Sequence, residues 1–213
     1  MIEKTLPAST AQRFYDRLGR WYELADFYGG RAKSRALQQL ALVSGLRILH
    51  VGVGTGRDHA QLCAAVAPNG QAIGIDLSPI MLRLTRDRTF APVCVADACS
   101  LPFADHAFDR LFAAYVLDLI PVADLPPLLN DFQRVLRSDG SMVLVTLTEG
   151  ATFRSRLFVS AWKGLYRLSP IACGGCRPLQ LAGLVTAAGF TNVKAEVMVQ
   201  MGIPSEIVTA SRK

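Results

Sequence analysis

Histidines number three, aromatic residues make up 8% of the chain, and no run of about 18 uninterrupted apolar residues occurs. The nearest such run, residues 111–122, is short and carries Asp118, which argues against a membrane span. The N-terminal MIEKTLPAST has no apolar core of the kind a secretory leader needs, so the expectation is a cytoplasmic protein. Without a secretory context, Cys63, Cys94, Cys99, Cys173 and Cys176 do not read as a disulfide framework. The single CGGC pair, Cys173 and Cys176, has neither a second pair nor paired histidines to complete a zinc site, because His50, His59 and His106 are isolated; no metal is expected. What remains is 51% hydrophobic and 19% charged, a core-forming composition for one domain of 213 residues.

Acidic residues are also scarce at the C-terminal end, and basic ones outnumber them at both ends. Residues 1–35 hold seven basic and four acidic side chains, 36–150 hold eight and eleven, and 151–213 hold eight and two. The middle is net −3 and the flanks sum to +9, within a total of +6. Basic flanks suit an anionic partner or simply a solvated face, and both readings stay open at this point.

Apolar spacing predicts a helix over 9–27, with Phe14, Leu18, Trp21, Leu24 and Ala25 on one face, and a second over 31–43 ended by Gly45. Strands and helices then alternate. Strands are predicted at 47–51, 72–76, 93–96, 109–116 and 141–147, and helices at 57–66, after Ser78-Pro79, and at 124–137. Beyond Gly150 come a helix-like stretch, a glycine turn, a helix over 178–188, and two closing strands, 193–200 and 206–210, near enough to pair antiparallel. The expectation is an α/β domain built on a doubly wound, mainly parallel seven-stranded sheet, with an antiparallel C-terminal hairpin and a helical N-terminal cap.

Ligands of such sheets bind at the carboxyl ends of the strands. The loop after the first strand is Gly52-Val53-Gly54-Thr55-Gly56, whose glycines allow close approach to backbone amides, but Arg57 stands where the dinucleotide fingerprint needs its third glycine. A dehydrogenase is therefore disfavoured. Asp76 ends the second strand, where a carboxylate can accept from both hydroxyls of an adenosyl ribose, and Asp97 with Ala98 ends the third, placed to accept from an adenine amino group. Either aspartate alone could be a turn or capping residue.

Four stretches in order, ILHVGVGTGRD (48–58), AIGIDLSPIML (72–82), VADACSLPFADHAFD (95–109) and RVLRSDGSMVLV (134–145), resemble the motifs of class I S-adenosylmethionine-dependent methyltransferases. The nearest likeness is to the type 11 group, similar to ubiquinone/menaquinone C-methyltransferases and phospholipid N-methyltransferases, and YDRLGRWYEL (15–24) resembles that group's entry helix. The resemblance implies a Rossmann-like methyltransferase fold over a single domain, 1–213, with 1–45 as the cap and 151–176 as a lid-like insertion. It implies that S-adenosylmethionine is the cofactor, with Gly52, Gly54 and Gly56 at its methionine part, Asp76 at the ribose, Asp97 and Ala98 at the adenine, and Leu77 and Leu101 packing the base. His50 and Tyr115 fall at cofactor-side positions; Tyr115 opens the family's fourth motif, and Tyr15 and Tyr22, reaching the site from the cap, are expected as catalytic residues beside Asp118.

Two departures stand out. His50 occupies the place of an acid that usually attracts the cofactor's ammonium, so a protonated ring is expected to weaken binding as pH falls. The fourth motif reads VLDLIP, leaving Asp118 as its only ionisable group, either a general base facing the substrate or a solvent-facing cap; the base is favoured. Methyl transfer needs alignment, exclusion of water and, where required, acceptor deprotonation, and no nucleophilic residue. The expected acceptor is a small or lipid-like molecule such as a quinone precursor or a phospholipid amine. An RNA methyltransferase and a non-catalytic cofactor-binding protein are the alternatives, with nucleic acid disfavoured because the fourth motif lacks an Asp/Asn-Pro-Pro-aromatic run. On a helical wheel Arg156, Lys163 and Arg167 share one face of the 153–168 stretch, and Phe153, Leu157, Ala161, Leu165 and Leu168 share another. That pattern suits peripheral attachment to the anionic inner membrane face, or a lid whose apolar side covers the active site.

Overall fold

The computed structural model describes residues 5–213, with side chains left out at 24–28. Leu24 and Ala25, expected on the packing face of the first helix, therefore lie outside the described side chains. In chain order the elements are α1 (Ala8–Leu18), α2 (Tyr22–Gln39), β1 (Arg47–Val51), α3 (Arg57–Val66), β2 (Gln71–Asp76), α4 (Pro79–Thr89) and β3 (Val93–Val95). There follow β4 (Phe108–Ala114), α5 (Leu125–Val135), β5 (Leu136–Leu147), α6 (Phe153–Leu168), α7 (Ala182–Ala187), β6 (Thr191–Gln200) and β7 (Ile203–Ser211). One seven-stranded sheet runs in the order β3-β2-β1-β4-β5-β7-β6. Its strands are parallel except β7, which runs antiparallel to both neighbours. The order reverses beside β1, whose neighbours are β2 and β4, and this switch point opens a crevice at the strand ends.

Alternating side chains divide the core between the two sheet faces. Leu49, Leu111, Met142 and Leu144 pack with Leu125, Leu128, Leu129, Phe132 and Val135 of α5 on one side. Those five α5 residues follow helical spacing and are all fully buried, each contributing about 1.5–3 kcal/mol of burial. On the other face Ile48, Phe112, Val143 and Val145 meet Ala32, Ala36 and Leu40 from the α2 side, and Leu62 and Val66 of α3.

Three expectations need correction. The break between the first two helices falls at Gly19, whose positive φ of 49° ends α1, so that Trp21 is 74% exposed and not part of a packing stripe. Gly29 and Gly30 lie inside α2, because the missing Cβ of Gly29 admits the Tyr115 ring; a Cβ there would sit 2.6 Å from it. Finally, the helix expected over 178–188 is confined to 182–187. The Leu179 amide donates to the Leu147 carbonyl (2.8 Å) and the Leu181 amide to the Glu206 carboxylate (2.7 Å), long-range partners that hold the preceding segment out of the helix.

Candidate active site

A cavity of about 470 Å³, within the usual range for small-molecule pockets, lies at the carboxyl ends of β1, β2 and β4 under the cap. Its floor is the glycine loop. The Gly52 and Val53 amides donate to the Ile75 carbonyl (2.8 and 3.1 Å), tying the loop to the end of β2. Gly52 has φ +73°, and a Cβ there would sit 2.2 Å from Val116 on the opposite wall. The Asp76 carboxylate then braces two loops at once, accepting from the Gly54 amide on one oxygen (3.0 Å) and from the Ser78 amide on the other (2.9 Å). Each oxygen keeps a lone pair for a ligand. Burial, with Asp16 nearby, pushes Asp76 up to about 6 against the pull of these amide donors.

Leu77, Asp97 and Ala98 continue the wall, and Asp97 fixes its own turn by accepting from the Cys99 amide (2.9 Å). Leu101, by contrast, belongs to the core beneath. From the cap, Ala8, Ala11, Gln12 and Tyr15 present one face of α1 to the cavity, and Tyr22 joins them edge-on to Tyr15 at 5.5 Å. Tyr15 donates to the Gly174 carbonyl (3.0 Å), and burial, followed by Cys176, Tyr22 and Asp118, raises its pKa well above the usual phenol value. It therefore remains a hydrogen-bond donor and not a base. Tyr115 lines the cavity in the left-handed region (φ 56°), its hydroxyl 2.7 Å from the Ser205 hydroxyl.

Nine of the residues expected at the site thus share one cavity: Tyr15, Tyr22, Gly52, Gly54, Asp76, Leu77, Asp97, Ala98 and Tyr115. Besides Leu101, three stand apart from its wall. Gly56 starts α3 and packs on Thr85, where a Cβ would meet the backbone at 2.7 Å. His50 points to the α3 face, stacked on His59 with their Nδ1 atoms 3.3 Å apart. Burial, then His59 and Lys33, holds His50 well below the ordinary imidazole pKa, so a neutral ring faces another ring and the expected repulsion of the cofactor's ammonium has no geometric basis. Asp118 faces neither cavity nor solvent. Fully buried in the short 3-10 turn Leu117–Leu119, it accepts from the Leu147 amide at 3.3 Å, while Oδ1 has no partner among the described residues. The Arg177 guanidinium, also buried, donates to the Asp118 and Ile120 carbonyls (2.8 and 2.5 Å) and pins this turn behind the cavity wall.

Sequence reasoning missed Gln12 and Asp124. Gln12 lies three residues before Tyr15 on the same helical face, a spacing that could have flagged it. Asp124 reaches the cavity from the turn before α5, six residues past Asp118.

A glycine-floored crevice at the switch point, with a carboxylate at the end of the second strand, is an architecture that suits a nucleoside ligand. Residues 48–140 match the family model described as a methyltransferase domain. The demethylmenaquinone methyltransferase of Staphylococcus aureus is 31% identical over 121 residues, covering 55% of this chain and 49% of that protein. Among solved structures, phosphoethanolamine N-methyltransferase 2 of Haemonchus contortus, in complex with phosphomonomethylethanolamine and S-adenosylhomocysteine, superposes with a TM-score of 0.71 at 16% identity, over 95% of this chain and 60% of that one. A SAM-dependent methyltransferase from Aquifex aeolicus gives 0.65 at 16%, over 95% and 98%. Residues 48–140 thus match a methyltransferase domain, and the chain as a whole shares the fold of S-adenosylmethionine-dependent methyltransferases. It spans about half the length of the curated relatives it matches.

The cofactor of that class is S-adenosylmethionine, and the cavity suits it. Gly54 leaves open backbone where a Cβ would come within 3.5 Å of the Tyr22 ring, and Asp76 and Asp97 offer carboxylate acceptors at the ends of adjacent strands.

Proposed function

We propose that this chain is a single catalytic domain, residues 1–213, that transfers the methyl group of S-adenosylmethionine to a small or lipid-like acceptor, a quinone precursor or a phospholipid amine. The carrying observation is the mixed lining of one cavity, which joins Gly52, Gly54, Asp76 and Asp97 with the apolar Leu6, Ala8, Leu119 and Ile120. S-adenosylmethionine supplies a methyl group already activated on a sulfonium, so alignment and exclusion of water are the protein's main task. In this reading Gly52 and Gly54 give room for the methionine part, Asp76 accepts from the ribose hydroxyls, Asp97 and Ala98 hold the adenine, and Leu77 packs the base. His50 and Gly56 support the loop from behind. Tyr115 shapes the wall where acceptor and methyl group meet. Tyr15 and Tyr22 orient the acceptor and, with residues 1–45 as the cap, exclude water. Asp118 is a positioning residue, since its carboxylate acts on the acceptor end only through the field it sets at Tyr15. The names of the relatives, a menaquinone-precursor enzyme and a phosphoethanolamine enzyme, support an acceptor of this kind.

Titration calorimetry with S-adenosylmethionine tests the site. Two hydrogen bonds to a buried carboxylate are worth about 1.5–3 kcal/mol, so Asp76→Ala should weaken binding by about tenfold or more. Equal affinity in parent and variant removes Asp76 from the site. The acceptor class is tested by incubating the protein with methyl-labelled cofactor and a cell extract, then separating lipid, aqueous small-molecule and nucleic-acid fractions. Label confined to nucleic acid would end the reading.

A further inference from the structure

The apolar side of α6 does not cover the cavity. Ser155, Val159 and Tyr166 are the buried residues of this helix, while Phe153, Leu157 and Leu168 are 82%, 65% and 86% exposed. At 100° per residue these three, with Ala161, fall opposite the buried side, so the apolar stripe faces directly away from the protein. Exposed arginines border it on both edges, Arg154 on one and Arg156 with Arg167 on the other. Lys163, at the rim of the buried side, is engaged by Glu149 at 2.6 Å. No acidic residue occurs anywhere from 150 to 195. An outward apolar row of this size is costly to leave in water and calls for a covering surface.

We propose that this outward face of α6 docks on an anionic phospholipid bilayer. The charges choose the occupant: a second copy laid on the same face would set arginines against arginines, whereas anionic headgroups meet the cations on both flanks while the Phe153–Leu157–Leu168 row enters the acyl boundary. The helix has the length for it, a capping box at Thr152 and Ser155 fixing its start and sixteen residues following. Its far end runs through the Pro170–Cys173 turn to Gly174, whose carbonyl receives the Tyr15 hydroxyl on the cavity wall. Docking therefore sets the cap beside the lipid surface, the right place for a lipid-like acceptor; this purpose, though not the docking itself, rests on the function proposed above. No helix among the described residues is long and apolar enough to cross a membrane, so attachment through α6 is peripheral.

Co-sedimentation with phosphatidylglycerol-containing vesicles at low salt tests the proposal, with pure phosphatidylcholine vesicles as the uncharged arm. The full chain should pellet with the anionic vesicles and be released by high salt. Each cation at such a surface is worth about fivefold in partitioning. The triple variant Arg154→Gln, Arg156→Gln and Arg167→Gln should therefore lose at least tenfold, as should Phe153→Ser, Leu157→Ser and Leu168→Ser combined, while removing Arg83 and Arg86 of α4 should change little. Should the serine variant fail to fold, the arginine variant carries the test alone. Failure of the parent to pellet at low salt, or equal pelleting of the arginine variant, overturns the proposal. So does a parent dimer in the ultracentrifuge that the α6 variants dissociate, since a second copy then covers the face. Calorimetry with S-adenosylmethionine on the same proteins should show unchanged affinity, which separates failure of docking from failure of the proposed activity.

Discussion

Asp118→Asn is expected to abolish a loss of stability that the parent suffers as pH rises from about 4 to 7. Burial pushes the Asp118 carboxyl up to about 7, against the weaker pull of the Leu147 amide and Arg177. In the unfolded chain the same group titrates at about 3.9. Between these values the folded protein holds a proton that the unfolded chain has released, so unfolding free energy falls with rising pH; the contribution is fully present below about 4 and lost once pH passes 7. A gap of this size corresponds to about 4 kcal/mol. Urea melts at pH 4.5, 6 and 8 should show the parent declining and the asparagine variant flatter by an amount of that order. Parallel profiles would mean that Asp118 is not held protonated. Methyl transfer followed over the same pH range separates a field effect at Tyr15 from a structural one, because only the former moves the apparent pKa of the reaction without altering cofactor affinity.

Gly52→Ala should be the most damaging single change on the cavity floor. The residue's φ of +73° costs an alanine about 1 kcal/mol, and the added Cβ would overlap Val116 at 2.2 Å, an overpacking worth another 1–3 kcal/mol. Val116 lines the cavity, so relief of the overlap moves the wall that faces the ligand. Calorimetry should find S-adenosylmethionine binding weakened by more than tenfold, and thermal melts should show a lower Tm. Adding Val116→Ala should recover the overpacking part of the stability loss and leave the backbone part. A variant that melts and binds like the parent would place the ligand elsewhere.

The strand ends were legible because the signals are local. Glycines in a row after RILHV and single aspartates closing AIGID and VCVA declare themselves within a few residues, and the structure brings Gly52, Gly54, Asp76 and Asp97 to one cavity. Direction was harder. His50 and Val51 adjoin in β1, yet strand alternation sends Val51 to the cavity and His50 to α3, a distinction the period of two contained but the motif comparison obscured. Asp118 was not legible at all, since a 3-10 turn and a clamp from Arg177, 59 residues away, decide where its carboxyl points. The shortened α7 has the same origin: Leu147 and Glu206 claim amides that local propensity would give to a helix. On α6 the wheel separated apolar from basic residues correctly but could not say which side faced the protein.

Ala32, Ala36 and Leu40 root the α2 part of the cap in the core, but α1 and the turn after it are fastened more by latches than by mortar. Ala11 is the only buried residue of α1, and polar ties supplement the helix's ring contacts: Tyr15 to the Gly174 carbonyl, Asp16 with the Ser78 hydroxyl, and Glu23 forked between Arg57 of α3 and Arg88 of α4 at 2.7 and 2.6 Å. Such ties trade readily for water and weaken in salt, whereas the sheet beneath is held by apolar contacts that do not. The doorway can therefore open without disturbing the house. Raising ionic strength should quicken cofactor entry and exit in stopped-flow traces while the global denaturation midpoint barely moves, making passage through the cap, and not stability of the fold, the property that the ionic setting of the cell adjusts.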